Sequence, residues 1–390
     1  MALQPAAGAR DLNPREVERQ RRLCEQLAEV YRRWGYQEVA PPTVERLDTL
    51  KAGGAIADRE VVRLVADDPL GLRPELTASI ARAASTRMAH RPRPLRLWAS
   101  GTTFRCFTGD GGDLRISETL QSGVELLGEA SDAAELELLH LLLAAIASLG
   151  LKEGHDTTLL LGHHGLLGAL LEVVAAEVRP LARERLTSFD ALGLDALPLP
   201  ETARGRLRTL MQLRGDPGKV LYQLEQWLGP LPLLGRLEAL LRSVEPLAGR
   251  VGVRLQLDPT FQPHFDLYDG LVFKVVCQGR EAPVAIASGG RYDRLVARFC
   301  GDGGEAAGTG FGFSIDALQE LLAADGPSGG ESGPWLVAAA AGQLPAALAR
   351  MAELHGRGEA AELCGQACAT EAEAESRAAE RGCRGAIWLG

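Results

Sequence analysis

Two strand-like segments, RLWASGTTFRCF at residues 96–107 and ISETLQSGVELLG at 116–128, flank the polar loop TGDGGD. Segments joined by a short glycine–aspartate loop pair as antiparallel neighbours. Such a hairpin directs the fold toward sheets built by short returns, because parallel neighbours need a long crossover. No G-x-x-x-x-G-K-[ST] phosphate loop occurs, and no G-x-G-x-x-G opens a helix; TGFGF at 309–313 is glycine-rich but reads as a strand. The expected class is α+β, an antiparallel sheet flanked by helices, rather than a doubly wound parallel sheet.

The rest of the chain is read on that frame. Asn13, Pro14 and Glu16 have the spacing of a capped helix start, with Leu23, Leu27, Val30, Tyr31 and Trp34 on one face and Gly35 as terminator. Pro41 and Pro42 take the chain out of the short strand before them. VVRLVADDPLGLRPEL reads as a hairpin returning into a helix from Thr77, and Ser131 as the cap of the leucine-rich helix that follows. Residues 152–250 read as a helical insertion, broken at Pro198, Pro200 and Pro217. Strands resume at VRLQLD, and a core unit is expected over 1–322, with a linker at 323–334. Residues 335–390 read as strand, helix, short strand, helix, strand: a short α/β module.

Length and composition bound the function. The chain has 390 residues, 46% hydrophobic and 24% charged, enough for one large core with accessories. No run of 18 apolar residues and no basic-then-apolar leader is found, so the expectation is a cytoplasmic protein without a membrane span. A net charge of −9 speaks against nucleic acid as a partner. Seven scattered cysteines argue against a disulfide framework. Cys364 and Cys368 have the spacing of half a metal site, but nothing completes it; no metal or cofactor is expected. His163 and His164 lack a nearby carboxylate or cysteine in sequence and read as a turn or helix cap.

Several polar residues could be structural. Glu75 follows Pro74 at a helix start, where an acid complements the helix dipole. Tyr268 and Tyr292 flank strands and could pack there; Gln121 and Glu125 share one face of an alternating strand. Taken singly, each leaves structure and binding open.

Five motifs in order turn these residues toward binding. LRPELT (72–77), FR (104–105) with Q-x-G-x-E (121–125), FDLYDGLVF (265–273), SGGRYDRLV (288–296) and GFGFSIDAL (310–318) resemble the catalytic core of histidyl-tRNA synthetase, a class II aminoacyl-tRNA synthetase. The resemblance implies the class II sheet, and a dimer. It also implies a pocket in which Glu75, Thr77 and Gln121 meet an α-amino group, and Glu125, Tyr268 and Tyr292 surround an imidazole. Arg105 is there the arginine suited to a carboxylate or phosphate.

The same frame implies losses. The family's catalytic arginine falls on Pro263, with His264 in place of a glycine and Leu267 in place of a tyrosine. Ser314, Asp316 and Ala317 stand where the third class II motif carries glutamate and arginine; Phe107 and Ser117 replace further charged positions, and Arg115 survives. Acid activation by ATP passes through an anionic transition state and needs fixed cations. A pocket kept, arginines lost and a C-terminal module trimmed relative to an anticodon-binding domain resemble the regulatory subunits of ATP phosphoribosyltransferase, as GVELLG (123–128) also does. That resemblance implies a non-catalytic chain, homodimeric within a hetero-oligomer, with a short-form catalytic subunit as partner and L-histidine as ligand. The alternative is a divergent histidyl-tRNA synthetase or a tRNA-free amino-acid-activating enzyme, with its cations supplied from elsewhere in the fold.

Overall fold

The Asn13 side chain accepts the Glu16 N–H (3.0 Å), while the Glu16 carboxylate accepts the Asn13 N–H (2.8 Å). This reciprocal cap starts α1 (Pro14–Arg33), and Gly35, at φ +80°, carries the chain out of it. The structure, a computed structural model, describes residues 5–52, 56–109, 111–151, 153–263, 267–300, 306–323 and 333–390. The expected linker lies almost wholly outside them, as do His264, Phe265 and Asp266. The chain divides into two compact units, Met1–Ala324 and Asp325–Gly390.

In the first unit α1 is followed by β1 (Gln37–Glu38), β2 (Val44–Arg46), α2 (Leu47–Ala52), β3 (Leu70–Leu72), α3 (Thr77–Ser85) and the long hairpin β4 (Leu95–Thr108) and β5 (Leu114–Leu127). Then come α4 (Asp132–Ser148), β6 (Thr158–His163) and six helices: α5 (His164–Leu170), α6 (Arg179–Thr187), α7 (Ala191–Asp195), α8 (Glu201–Gln212), α9 (Pro217–Leu228) and α10 (Pro232–Arg250). The unit closes with β7 (Arg254–Leu257), β8 (Leu271–Gln278), β9 (Pro283–Arg291), α11 (Asp293–Phe299), β10 (Gly308–Ser314) and α12 (Ile315–Ala323).

Eight of these strands form one sheet in the order β1-β4-β5-β10-β9-β8-β6-β7. Its six inner strands are antiparallel, as the hairpin demands, but β1 runs parallel to β4 and β7 parallel to β6, so the sheet is mixed. The expected return at 61–72 forms: Leu64 N–H donates to Leu70 O and Leu72 N–H to Val62 O. Two expectations are corrected. Ser131 sits at the N-cap of α4 without a capping bond from its hydroxyl; its own N–H donates to Glu129 (3.0 Å). Within the stretch read as a helical insertion, residues 158–163 are a full member of the sheet, and the α-helices begin only at His164.

One face of the sheet is apolar. Trp98, Val124, Phe273, Phe311 and Phe313 lie buried against Leu23, Leu27 and Tyr31 of α1 and the leucines of α4. Val244, Leu241 and Leu224 of the helical stretch belong to the same core, so those helices extend it. Burying side chains of this size stabilises by about 1.5–3 kcal/mol each. The opposite face carries the polar residues described below.

The second unit is β11 (Trp335–Ala339), α13 (Leu344–Gly356), β12 (Ala361–Leu363), α14 (Glu371–Glu380) and β13 (Gly385–Leu389), a three-stranded parallel sheet in the order β12-β11-β13. Among the described residues no helix is long and apolar enough to cross a membrane.

Candidate functional site

Directly paired residues of antiparallel strands share a face, so the register defines the site. Glu125 of β5 pairs with Gly310 of β10, Gly123 with Gly312, Leu127 with Gly308 and Gln121 with Ser314; Gly310 in turn pairs with Gly290 of β9. The middle of this face is therefore a trough of glycines, and at Gly308, Gly310 and Gly290 the missing side chain leaves room for a functional one. A Cβ at Gly310 would strike the Glu125 carboxylate and come within 2.5 Å of the Val124 carbonyl; one at Gly290 would lie 2.8 Å from the Tyr268 ring, and one at Gly308 2.5 Å from the Tyr292 ring. Gly290 is thus a mid-strand position of close approach, required for packing over the sheet. We expect Gly310→Ala to lose about 1–3 kcal/mol of stability from overpacking, read as a lower urea midpoint; an unchanged midpoint would show that the trough has spare room.

In that trough the structure gathers five of the seven residues expected at the pocket. Glu125 (4% exposed) accepts a hydrogen bond from the hydroxyl of Tyr292 (1% exposed). The Thr77 hydroxyl is within hydrogen-bonding reach of both Glu125 and Glu75. Glu75 caps α3, accepting the Ala78 N–H at 2.9 Å. The buried Tyr268 ring lies against Gly290. The two strand ends are tied together here, because Asp269 accepts the N–H groups of Asp293 (3.1 Å) and Arg294 (2.7 Å).

The loop carrying Glu75 is anchored by Arg73, which sequence reading passed over. Its guanidinium donates to the carbonyls of Thr102 (2.9 Å) and Pro41 (2.6 Å) and lies against Gly101, where no side chain intervenes. Arg73 thus satisfies backbone acceptors and positions Glu75, while the neighbouring Pro74 presents its carbonyl to Arg105 Nε (3.3 Å).

A buried carboxylate at Glu125 with a half-buried one at Glu75 beside it is electrostatically costly. Burial raises Glu125 to about 8, against the pull of hydrogen bonds from Thr77 and Tyr292, and the nearby Glu75 charge adds to the rise. Glu75 is also raised, by burial, with its backbone bonds and Arg105 opposing. The same burial, together with the two carboxylates, pushes the Tyr268 and Tyr292 phenols up. The cluster is rich in acceptors and lacks a cation among them. It is suited to a ligand bearing an ammonium and N–H donors.

The remaining two expected residues, Arg105 and Gln121, line a cleft of about 1090 Å³ beside the cluster. Gln121 and Glu125 lie on the same face of β5, four residues and thus about 13 Å apart, so the cleft continues the trough. Arg59, Glu60, Ser117, Thr119, Lys274 and Ser288 also line it. Three cations, Arg59, Arg105 and Lys274, therefore face one space, although they come from distant parts of the chain. Lys274 was legible only as a strand residue, and Arg59 carried no signal.

Several positions at which the resemblance implied a change from the synthetase pattern hold structural contacts. Asp316 accepts the Leu120 N–H (2.6 Å) and the Gln20 amide (2.9 Å), while Ser314 Oγ accepts the Ala317 N–H (3.3 Å). Arg115 pairs with Asp113 (2.8 Å), and Phe107 is exposed. His163 is a helix cap, as expected: its Nδ1 accepts the Gly165 N–H (2.9 Å), and burial lowers its pKa to about 4. Among the described residues no group of three or more potential metal ligands assembles.

Residues 8–318 match the histidyl-tRNA synthetase family. Over 390 residues, the whole of both chains, the sequence is 51% identical to an ATP phosphoribosyltransferase regulatory subunit of Prochlorococcus marinus (strain MIT 9313). The chain belongs to the ATP phosphoribosyltransferase regulatory subunits, a branch of the histidyl-tRNA synthetase family. Its fold is shared with the crystal structure of an ATP phosphoribosyltransferase regulatory subunit/histidyl-tRNA synthetase from Bacillus halodurans C, with a TM-score of 0.83 and 26% identity over 100% of this chain and 99% of that one. Apo histidyl-tRNA synthetase of S. aureus has the same fold at 20% identity, with a TM-score of 0.69 over 100% of this chain and 91% of that one. The class II sheet expected from the motifs is thus the regulatory-subunit fold.

Proposed function

We propose that this chain is a non-catalytic, cytoplasmic regulatory subunit that acts as a homodimer within a hetero-oligomer containing a short-form ATP phosphoribosyltransferase catalytic subunit. In this reading it is required for that subunit's activity and carries feedback inhibition by L-histidine. The observation that carries the proposal is the buried acceptor cluster. Glu125 with Tyr292, Tyr268, Glu75 and Thr77 complements the ring and amino N–H groups of histidine, while Gln121 and Arg105 face the amino acid's backbone end from the cleft.

Inhibition at a distance follows from linkage: histidine must bind one state of the assembly better than another. A coupling of about 1–3 kcal/mol, or roughly 5–150-fold in affinity, is enough for control. Loss of the activating step is part of the same proposal. Pro263 offers no charge where the family's arginine stands, and Ser314 and Asp316 are engaged in holding α12.

A second reading is favoured by one observation, the convergence of Arg59, Arg105 and Lys274 on the cleft. These cations could serve an amino-acid-activating enzyme, with a phosphate chain between them. Histidine-dependent ATP–pyrophosphate exchange on the purified chain separates the two. The expected result is no exchange above a protein-free control; exchange that needs histidine and disappears in Arg105→Ala would transfer the site to the activating reading.

A further inference from the structure

Cys364 and Cys368 bracket the loop between β12 and α14, with their Sγ atoms 3.9 Å apart. Their spacing in sequence is that of one helical turn, but the loop is laid against β11. The Cys364 N–H donates to Val337 O (2.8 Å) and the Cys368 N–H to Ala339 O (2.9 Å). The two backbones are thus spaced by two residues of strand, about 6.7 Å, near the upper end of the roughly 4.4–6.8 Å over which Cα atoms can be bridged. Side-chain rotation and a small loop adjustment bring the sulfurs from contact to bond.

The two thiols are not equivalent. Arg377 Nη1 lies 3.6 Å from Cys364 Sγ, and Arg377 is itself fixed by Gln366 (2.9 Å) and Glu373 (2.7 Å). Burial raises the Cys364 thiol, which as a thiol donates to the Gln366 carbonyl (3.2 Å); the surrounding backbone, Arg377 and Cys368 pull it the other way, and the net direction is down. Cys368, fully buried, is raised by burial and by its neighbour. Cys364 is 8% exposed, beneath the exposed loop tip Gly365–Gln366–Ala367. This is the arrangement of an attacking thiolate with a resolving thiol behind it. The third cysteine of the unit, Cys383, is held as a thiol by donating to Glu362 (3.3 Å), and its pKa is raised.

We propose that Cys364 and Cys368 form a reversible disulfide by exchange with a low-molecular-weight disulfide. The Cys364 thiolate attacks one sulfur of the disulfide RS–SR, forming a mixed disulfide and releasing one thiolate RS⁻. Cys368 then loses its proton, attacks Cys364 Sγ and expels the second RS⁻. The protein dithiol gives up two electrons and two protons, and RS–SR becomes two RSH. The product closes the Cys364–Cys368 segment of the β12–α14 loop on itself, where it lies against β11, and consumes the Cys364 thiolate that Arg377 faces.

The test uses the full chain, incubated with oxidised glutathione, alkylated with iodoacetamide and digested for mass spectrometry. The expected result is a peptide spanning both residues that has lost two alkylations and is lighter by two hydrogens than the reduced form, with reversal by dithiothreitol. Cys368→Ser should accumulate a glutathione mixed disulfide on Cys364, and Cys364→Ser should leave Cys368 alkylatable. The wild-type result stands without the variants. Both cysteines fully alkylated after the incubation, or a bond formed instead to Cys383, would overturn the assignment.

Discussion

If histidine binds as proposed, Glu125→Ala and Tyr268→Ala are each expected to weaken its binding to the isolated chain by about 100-fold or more. The estimate for Glu125 follows from its place in the pocket. Its carboxylate is the acceptor of the Tyr292 hydroxyl and lies within reach of Thr77. A hydrogen bond to a charged group contributes about 1.5–3 kcal/mol, and leaving its buried partner unpaired adds a similar cost. Protonation gives this prediction a second part. The empty site holds a proton on Glu125 up to about pH 8; the ligand's ammonium, already charged in solution, favours the carboxylate and expels that proton while the ring binds neutral. Calorimetry in buffers of different ionisation heat should therefore show proton release near pH 7, declining toward pH 9 and absent in Glu125→Gln. Histidine binding unchanged in both alanine variants would remove the ligand from this pocket.

We expect Glu125→Gln to stabilise the unliganded chain at alkaline pH, by roughly 5 kcal/mol above pH 9. Folding raises the Glu125 pKa from 4.5 to about 8, because burial disfavours its charge. The fold thus prefers the protonated acid. That contribution is fully present below about pH 4.5 and is lost as pH climbs through 8. Each pKa unit is worth about 1.4 kcal/mol. The glutamine keeps a neutral acceptor for Tyr292 and carries no charge to bury, so the gap between variant and wild type opens between pH 4.5 and 8 and then stays constant. Urea unfolding at pH 5, 7 and 9 measures it. Parallel pH profiles for the two proteins would mean that Glu125 is ionised in the folded state at little cost.

Much of this was legible because the signals were local. The Asn13–Glu16 box, the glycine-terminated α1, the β4–β5 hairpin and the alternation of strands and helices in the second unit each arise within a short window of sequence. What escaped depends on partners remote in the chain. TLLLGH (158–163) is a short apolar run within a leucine-rich stretch, and only pairing with β8 makes it a strand. The parallel edges at β1 and β7 join segments separated by long crossovers, which no local pattern announces. The pocket was read through its chemical residues, whereas the glycines at 308 and 310 that make room for Tyr292 and Glu125 looked like an ordinary strand. Arg59 and Lys274 reach the cleft from a 3-10 turn and a strand more than two hundred positions apart in the sequence, so their convergence with Arg105 became visible only in three dimensions.

The most direct test of the central claim is reconstitution. A short-form ATP phosphoribosyltransferase catalytic subunit is assayed alone, with this chain, and with Glu125→Ala, each across a titration of L-histidine. The account predicts little activity for the catalytic subunit alone, activity on adding either form of the chain, and inhibition by histidine with the wild type only. Activity that is independent of the chain, or inhibition that persists undiminished with Glu125→Ala, would contradict it.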